Sequence, residues 1–183
     1  MWEYHEHREG WQLPSALVAD ALQAFHKAFR PFDGHLVPFT DHVDHAGKVL
    51  GNSSLTPKLA VGDRTFLRRR YETLNEAVAS LTFEAQPLHG EPHLDGNVLR
   101  TDADPLLIDF EAACLGPTEW DLTALPHVVA ASYRYVDWPL LDLLSDLRSL
   151  TVATWCWMQP ERAPEVEEAA HHHLQRLRAR PSS

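Results

Sequence analysis

His89-Gly90-Glu91-Pro92-His93-Leu94-Asp95-Gly96-Asn97 is followed, twelve residues on, by Asp109-Phe110-Glu111. An acid, an amide a few residues later and a second acid across a short hairpin form a layout suited to phosphoryl-transfer chemistry. The first acid orients or deprotonates an attacking hydroxyl, while the amide and the second acid hold Mg²⁺. Mg²⁺ favours hard oxygen ligands, so one carboxylate, an Asn carbonyl and phosphate oxygens suit it. Gly90 and Gly96 let such a loop turn tightly. Neither a Gly-rich loop nor a strand-borne Lys precedes the stretch.

Around it the pattern is one of short strands. Residues 86–88 lead into the loop, and residues 97–100 are expected to pair with 106–110 through a turn at 101–104. On both sides the period changes to that of helices. Val18, Leu22, Phe25 and Phe29 predict a helix over 14–29, with Pro14 suited to its first turn. A short helix is expected over 41–49 and a long one over 62–81. Phe66, Leu67, Tyr71, Leu74, Val78 and Leu81 form the apolar stripe of the long one, with Arg68, Arg69 and Arg70 on a solvated face. Beyond the hairpin, helices are expected over 118–131, bent or split at Pro126, over 139–157, and over 163–178.

The chain has 183 residues, 44% hydrophobic and 23% charged, which fits a single soluble domain with a substantial core. A net charge of −10 argues against nucleic-acid binding, since an acidic surface repels the phosphate backbone. No apolar run is long enough to span a bilayer, and Met1-Trp2-Glu3-Tyr4-His5-Glu6 is not a signal peptide. Cys114 and Cys156 read as buried free thiols in a reducing cytosol, so the expected location is cytoplasmic.

Rival motifs fail. His89-Gly90-Glu91 matches the His-x-Glu of zinc deaminases, but the required Pro-Cys-x-x-Cys is nowhere in the chain. Glu91 between His89 and His93 is not His-Glu-x-x-His, and Pro92 forbids the helix that a zinc protease needs. His171, His172 and His173 diverge around a helix and are expected to face solvent. His26, beside the apolar stripe of its helix, reads as a satisfied, partly buried histidine. Trp155, Trp157 and Met158 read as core or helix packing.

Taken together, Leu88-His89-Gly90-Glu91-Pro92-His93, Gly96-Asn97-Val98-Leu99, Leu107-Ile108-Asp109-Phe110-Glu111, Gly116-Pro117 and Glu119-Trp120-Asp121-Leu122 resemble the aminoglycoside phosphotransferase / choline kinase-like family of small-molecule kinases. The resemblance implies a mainly helical α+β fold: a protein-kinase-like C-terminal lobe whose small β-hairpin carries the catalytic and metal loops, with the N-terminal lobe absent. It implies one domain over 1–183, with a hinge-like segment at 1–12, the catalytic and metal-binding segment at 86–111 and a helical subdomain at 118–179. Glu91 falls where the family has its catalytic Asp, and His93 where protein kinases have Lys. Asn97 falls at the metal-binding Asn and Asp109 at the principal Mg²⁺ ligand. Glu111, two residues further along the same strand, would point to Asp109's side and help with a second ion. Asp121 resembles the buried acid that anchors the catalytic loop, and His89 is expected to be structural.

Two departures stand out. Glu replaces Asp at position 91, and the interval from Glu91 to Asn97 is one residue longer than the family's, so that either Glu91 or Asp95 is the base. Trp138 or Trp155 would line an acceptor pocket. The implied activity is transfer of phosphate from ATP (or GTP), with Mg²⁺, to a hydroxyl of a small molecule. The alternative is a non-catalytic, pseudokinase-type module that binds or self-associates. Such a homodimer would use the uncovered face that would meet an N-terminal lobe, near Trp2, Tyr4 and Trp11.

Overall fold

The computed structural model describes residues 13–94, 96–101, 104–158, 161 and 163–180. The hinge-like segment at 1–12, with Trp2, Tyr4 and Trp11, and the candidate base Asp95 lie outside the described residues. The chain divides into two compact units: residues up to Phe39 together with Phe83–Leu141, and Thr40–Thr82 together with Asp142–Ser183.

In the first unit, helix α1 (Ser15–Phe29) buries Val18, Ala19, Leu22 and His26, a stripe at helical spacing. Its apolar residues pack with Leu122, Leu125, Val129, Ala130 and Leu141 to form one hydrophobic cluster. Three very short strands make a sheet in the order β1 (Val37–Pro38), β5 (Cys114–Gly116), β2 (Gln86–Leu88). Strand β5 runs parallel to β1 and antiparallel to β2, with Leu88 opposite Cys114. Phe39 lies against Trp120 at 5.0 Å between ring centroids, and a Cβ on Gly116 would come 2.8 Å from the Phe39 ring. The sheet and the aromatic pair therefore close around a position that tolerates only glycine.

The hairpin is shorter than its sequence suggests. Strand β3 (Val98–Arg100) pairs with β4 (Pro105–Leu107), Val98 opposite Leu107. The chain then leaves extended geometry, and Phe110–Ala112 form a 3-10 turn. The alternation that put Glu111 on the same side as Asp109 therefore does not apply, because the strand has ended two residues before Asp109. Beyond β5, the expected helix over 118–131 is split into α4 (Thr118–Leu122) and α5 (His127–Ala130), with Pro126 at the break. Proline has no N–H to continue the helical ladder, which is why the split falls there.

In the second unit, α2 (Thr40–Gly51) packs on α3 (Val61–Ala79). A Cβ on Gly47 would lie 2.3 Å from Tyr71, so the two helices approach through that glycine. The Tyr71 hydroxyl donates to Asp44 at 3.2 Å. From Asp142 onward the long helix α6 (Trp138–Met158) belongs to this unit, and it turns Leu144, Leu147, Leu150, Ala153, Cys156 and Trp157 inward. Thr151 and Thr154 donate their hydroxyls to carbonyls one turn back, which satisfies polar groups inside an apolar helix. Helix α7 (Pro164–Ala179) starts with proline in its first turn and buries Ala170, Leu174 and Leu177.

Four expectations are corrected in this unit. Arg70 is not solvated: its guanidinium meets the buried Asp146 at 3.0 Å, and Arg180 approaches the same carboxylate at 3.2 Å. Trp157 is buried, but Trp155 is 54% exposed and packs no core. Leu81 lies past the end of α3 and is exposed. Of the three consecutive histidines, His171 and His172 are exposed, while His173 is half-buried, because it lies three residues after Ala170 and four before Leu177 on the buried face of the helix.

Burial pushes the His173 imidazole down to about 4, with the charges of His172 and Arg176 adding to the shift. Between about pH 6.5 and pH 4 the unfolded chain thus binds more protons at this group than the folded chain. Stability from it is complete above the upper value and is lost as pH falls through the window. His173→Gln is expected to flatten the acid-side decline in unfolding free energy, measured by urea denaturation across that range. An unchanged pH slope would refute the assignment.

Candidate active site

The loop after β2 is held from beneath by one carboxylate. Asp121, on α4 and fully buried, accepts the backbone N–H of His89 through Oδ2 at 3.0 Å and that of Gly90 through Oδ1 at 2.7 Å. A third donor reaches it from α1, where His26 Nε2 lies 2.8 Å from Oδ2. A buried carboxylate is costly unless it is saturated with donors, and three donors supply that compensation. His26 is buried, and its other ring nitrogen lies 2.7 Å from the Tyr133 hydroxyl. Burial, together with the negative charges of Asp121 and Glu119, pushes the Tyr133 hydroxyl up to about 12.

His89 is the second organiser. Its Nε2 donates to the Ile108 carbonyl at 2.8 Å, and its Nδ1 accepts the Glu91 N–H at 3.3 Å. A carbonyl only accepts, so the ring carries its proton on Nε2. One buried imidazole thus ties the acid-bearing loop to the residue that precedes Asp109. The Phe110 ring packs on His89 at 4.8 Å and on Phe25 at 5.7 Å.

Glycine at position 90 is required twice over. Its φ is +90°, and a Cβ there would lie 1.9 Å from the Ala112 carbonyl oxygen. Glu91 then turns out to solvent. Its carbonyl accepts the His93 N–H at 2.9 Å and the Asn97 side-chain amide at 2.9 Å. The His93 carbonyl in turn accepts Asn97 N–H at 3.0 Å and Val98 N–H at 3.2 Å, which closes the loop onto β3. The side chain of His93 is half-buried, and a Cβ on Gly96 would come 2.8 Å from its ring.

Asp109 is the sole non-glycine residue with positive φ (63°) among the described residues. That conformation costs an L-residue roughly 1–2 kcal/mol, and Asp is among the few side chains that accept it. Strain of this kind collects where a side chain must be aimed. The Asp109 side chain is exposed and caps no N–H of the following turn. Glu111 is also exposed.

Among the described residues no group of three or more His, Cys, Asp or Glu side chains converges as metal ligands. The donor set nevertheless fits Mg²⁺ arriving with a phosphate. Asn97 spends its NH₂ on the Glu91 carbonyl, which leaves its oxygen to coordinate, and Asp109 supplies an exposed carboxylate. Mg²⁺ keeps several waters and takes one or two protein oxygens plus phosphate oxygens, so an all-protein cage is not required.

Of the proposed substrate-lining residues, Trp138 belongs to the first unit, is 41% exposed and stacks on His127 at 4.9 Å. Trp155 belongs to the second unit. A cavity of about 260 Å³ in the second unit, lined by Arg70, Thr73, Asp142, Asp146 and Arg180 among others, includes none of the loop residues. The sequence left the partners of His26 unread. Its place in a buried apolar stripe was the available signal, because a buried imidazole needs partners for both nitrogens.

A mainly helical α+β chain that suspends an acid-bearing loop and an Asp-led turn from one buried aspartate has the architecture of a kinase-like C-terminal lobe. The chain belongs to the phosphotransferase enzyme family, whose model matches residues 3–181. Three solved structures share the fold at low identity. A choline/ethanolamine kinase family protein from Mesorhizobium loti superposes with TM-score 0.70 at 18% identity, covering 90% of this chain and 60% of its own. Choline kinase LicA from Streptococcus pneumoniae gives 0.68 at 16%, covering 91% and 63%. Aminoglycoside 2'-phosphotransferase-IIIa in its GDP complex gives 0.61 at 15%, covering 88% and 62%. This chain thus spans about three fifths of the chains it resembles. Comparison with curated protein sequences gives no match. No helix among the described residues is long and apolar enough to cross a membrane.

Proposed function

We propose that this chain carries the metal- and acceptor-binding part of a small-molecule O-phosphotransferase, moving the γ-phosphate of ATP or GTP to a hydroxyl. The observation that carries the reading is the double tie of His89, which links the acid-bearing loop to the residue before Asp109. In this reading Asn97 and Asp109 would hold Mg²⁺, which would supply positive charge against the nucleotide phosphates. Glu91, or Asp95, accepts the hydroxyl proton, and a carboxylate can do so without a shifted pKa. His93, whose backbone N–H is taken by the Glu91 carbonyl, would offer its ring N–H toward phosphate oxygens. Glu111 is an additional ligand for metal-bound water. His89 and Asp121 support the loop, and Trp138 or Trp155 contacts the acceptor.

Support for a nucleotide donor comes from relatives of the same fold, solved as complexes with AMP, with AMP-PNP and Ca²⁺, and with GDP. Choline kinase LicA and aminoglycoside 2'-phosphotransferase-IIIa are named for small-molecule acceptors, which favours a small hydroxyl compound here.

The non-catalytic reading has an observation of its own. Phe32 and Phe110 are each 46% exposed, at the end of a run of ring contacts through Phe29 and Phe25. A contiguous exposed apolar patch would suit a surface that meets a partner. Calorimetric titration with a non-hydrolysable ATP analogue, with and without Mg²⁺, separates the two. Metal-dependent binding is expected. Absence of binding would leave the self-association module, through a homodimer, as the better reading.

A further inference from the structure

We infer that His26 is a positioning residue for the acid-bearing loop: it acts through Asp121, and Tyr133 fixes its tautomer. The inference rests on the proposed function only in taking this loop as the reactive one.

His26 sits 95 residues before Asp121, in the buried stripe of α1 where the helical pattern calls for an apolar side chain. A buried imidazole must be satisfied at both nitrogens, and here the partners are a hydroxyl at 2.7 Å and the carboxylate that holds the loop at 2.8 Å. A carboxylate can only accept, so Nε2 carries the proton that meets Asp121. A neutral imidazole protonated at Nε2 has only a lone pair at Nδ1, and the group facing that lone pair at 2.7 Å is the Tyr133 hydroxyl. Tyr133 therefore donates to Nδ1, and the ring is locked as the tautomer that donates to Asp121. Tyr133 also packs edge-on against the ring at 5.8 Å, which limits its rotation.

The consequence falls on Asp121. Its Oδ2 is shared between His26 and the His89 N–H, while Oδ1 takes the Gly90 N–H. The imidazole is the one donor of the three that does not belong to the loop. Without it, a fully buried charge is held only by the two N–H groups it is meant to position, and the carboxylate can follow the loop rather than anchor it.

The test is site-resolved amide hydrogen exchange on the full chain, with β5 amides of the same unit as reference. His26→Phe fills the space without a donor and is expected to lower protection at His89 and Gly90 about 10-fold more than at β5, as for one lost hydrogen bond. His26→Gln, which restores an N–H near Nε2, is expected to recover most of it. Equal changes at loop and reference, or no rescue by Gln, would overturn the proposal. Should His26→Phe not fold, Tyr133→Phe carries the test: a loop-specific loss is expected, and unchanged loop protection overturns it. In the unaltered chain, ¹⁵N imidazole shifts must show Nε2 protonated, and the opposite tautomer would equally overturn it. Titration of the same variants with Mg²⁺ and the ATP analogue separates the two ideas. A loosened loop with unchanged nucleotide affinity would leave the positioning role standing and refute the phosphotransferase reading of the loop.

Discussion

Asp109→Asn is expected to abolish the metal-dependent part of nucleotide binding while leaving the fold intact. Asn accepts positive φ as readily as Asp, so the left-handed backbone at 63° is preserved. What is lost is the charge. Removing even outer partners of a metal site typically costs 10–100-fold in affinity, so losing the one exposed carboxylate of this donor set should cost on the order of 100-fold or more. The measurement is calorimetry of the ATP analogue at fixed Mg²⁺, paired with thermal unfolding. Unchanged Mg²⁺-nucleotide affinity in a folded Asp109→Asn variant would remove Asp109 from the site. Asp109→Ala should show the same loss of binding with an added destabilisation, because alanine is poorly suited to that backbone.

Gly90→Ala is expected to have the largest effect on stability. The dihedral alone disfavours any Cβ by roughly 1–2 kcal/mol. Overpacking against main chain adds about 1–3 kcal/mol, and here the clashing atom is a backbone carbonyl oxygen at 1.9 Å. The residue cannot shift aside, because its N–H is fixed on Asp121 at 2.7 Å. A total of about 2–5 kcal/mol is a large part of the 5–15 kcal/mol typical of a domain. Urea unfolding should show a markedly lower midpoint, together with loss of nucleotide binding. Gly62→Ala is the control: nothing lies within 4 Å of its added Cβ, and a helical Gly→Ala change should be neutral or slightly stabilising. Similar midpoints for the two variants would contradict the packing described for Gly90.

The long helices of this chain were readable because each keeps a 3.6-residue period over several turns. The stripes of α1, α3 and α7 and the apolar length of α6 need no knowledge of their partners. Pro126 announced its own break. The sheet is a different matter. Strands of two and three residues are too short to show alternation, and β1 finds β5 across more than seventy residues of chain. The same shortness undid the placement of Glu111, since a strand that stops at Leu107 cannot carry a period-2 argument to residue 111. Arg70 was misjudged for a related reason: its partner Asp146 lies on another helix, and surface charge in one helix says nothing about a buried acid elsewhere.

What the sequence determined alone is local: residue types at fixed short spacing, hence the helices, the hairpin and the grouping of Glu91, His93, Asn97 and Asp109 on one loop and turn. Those relations are set by backbone geometry within a few residues. Tertiary structure alone decided which buried groups hold that loop. Asp121 reaches it from 31 residues downstream and His26 reaches Asp121 from 95 residues upstream. Hydrogen bonds between such distant groups leave no periodic trace in a sequence. They are fixed only when the core forms and leaves a buried charge that must be satisfied.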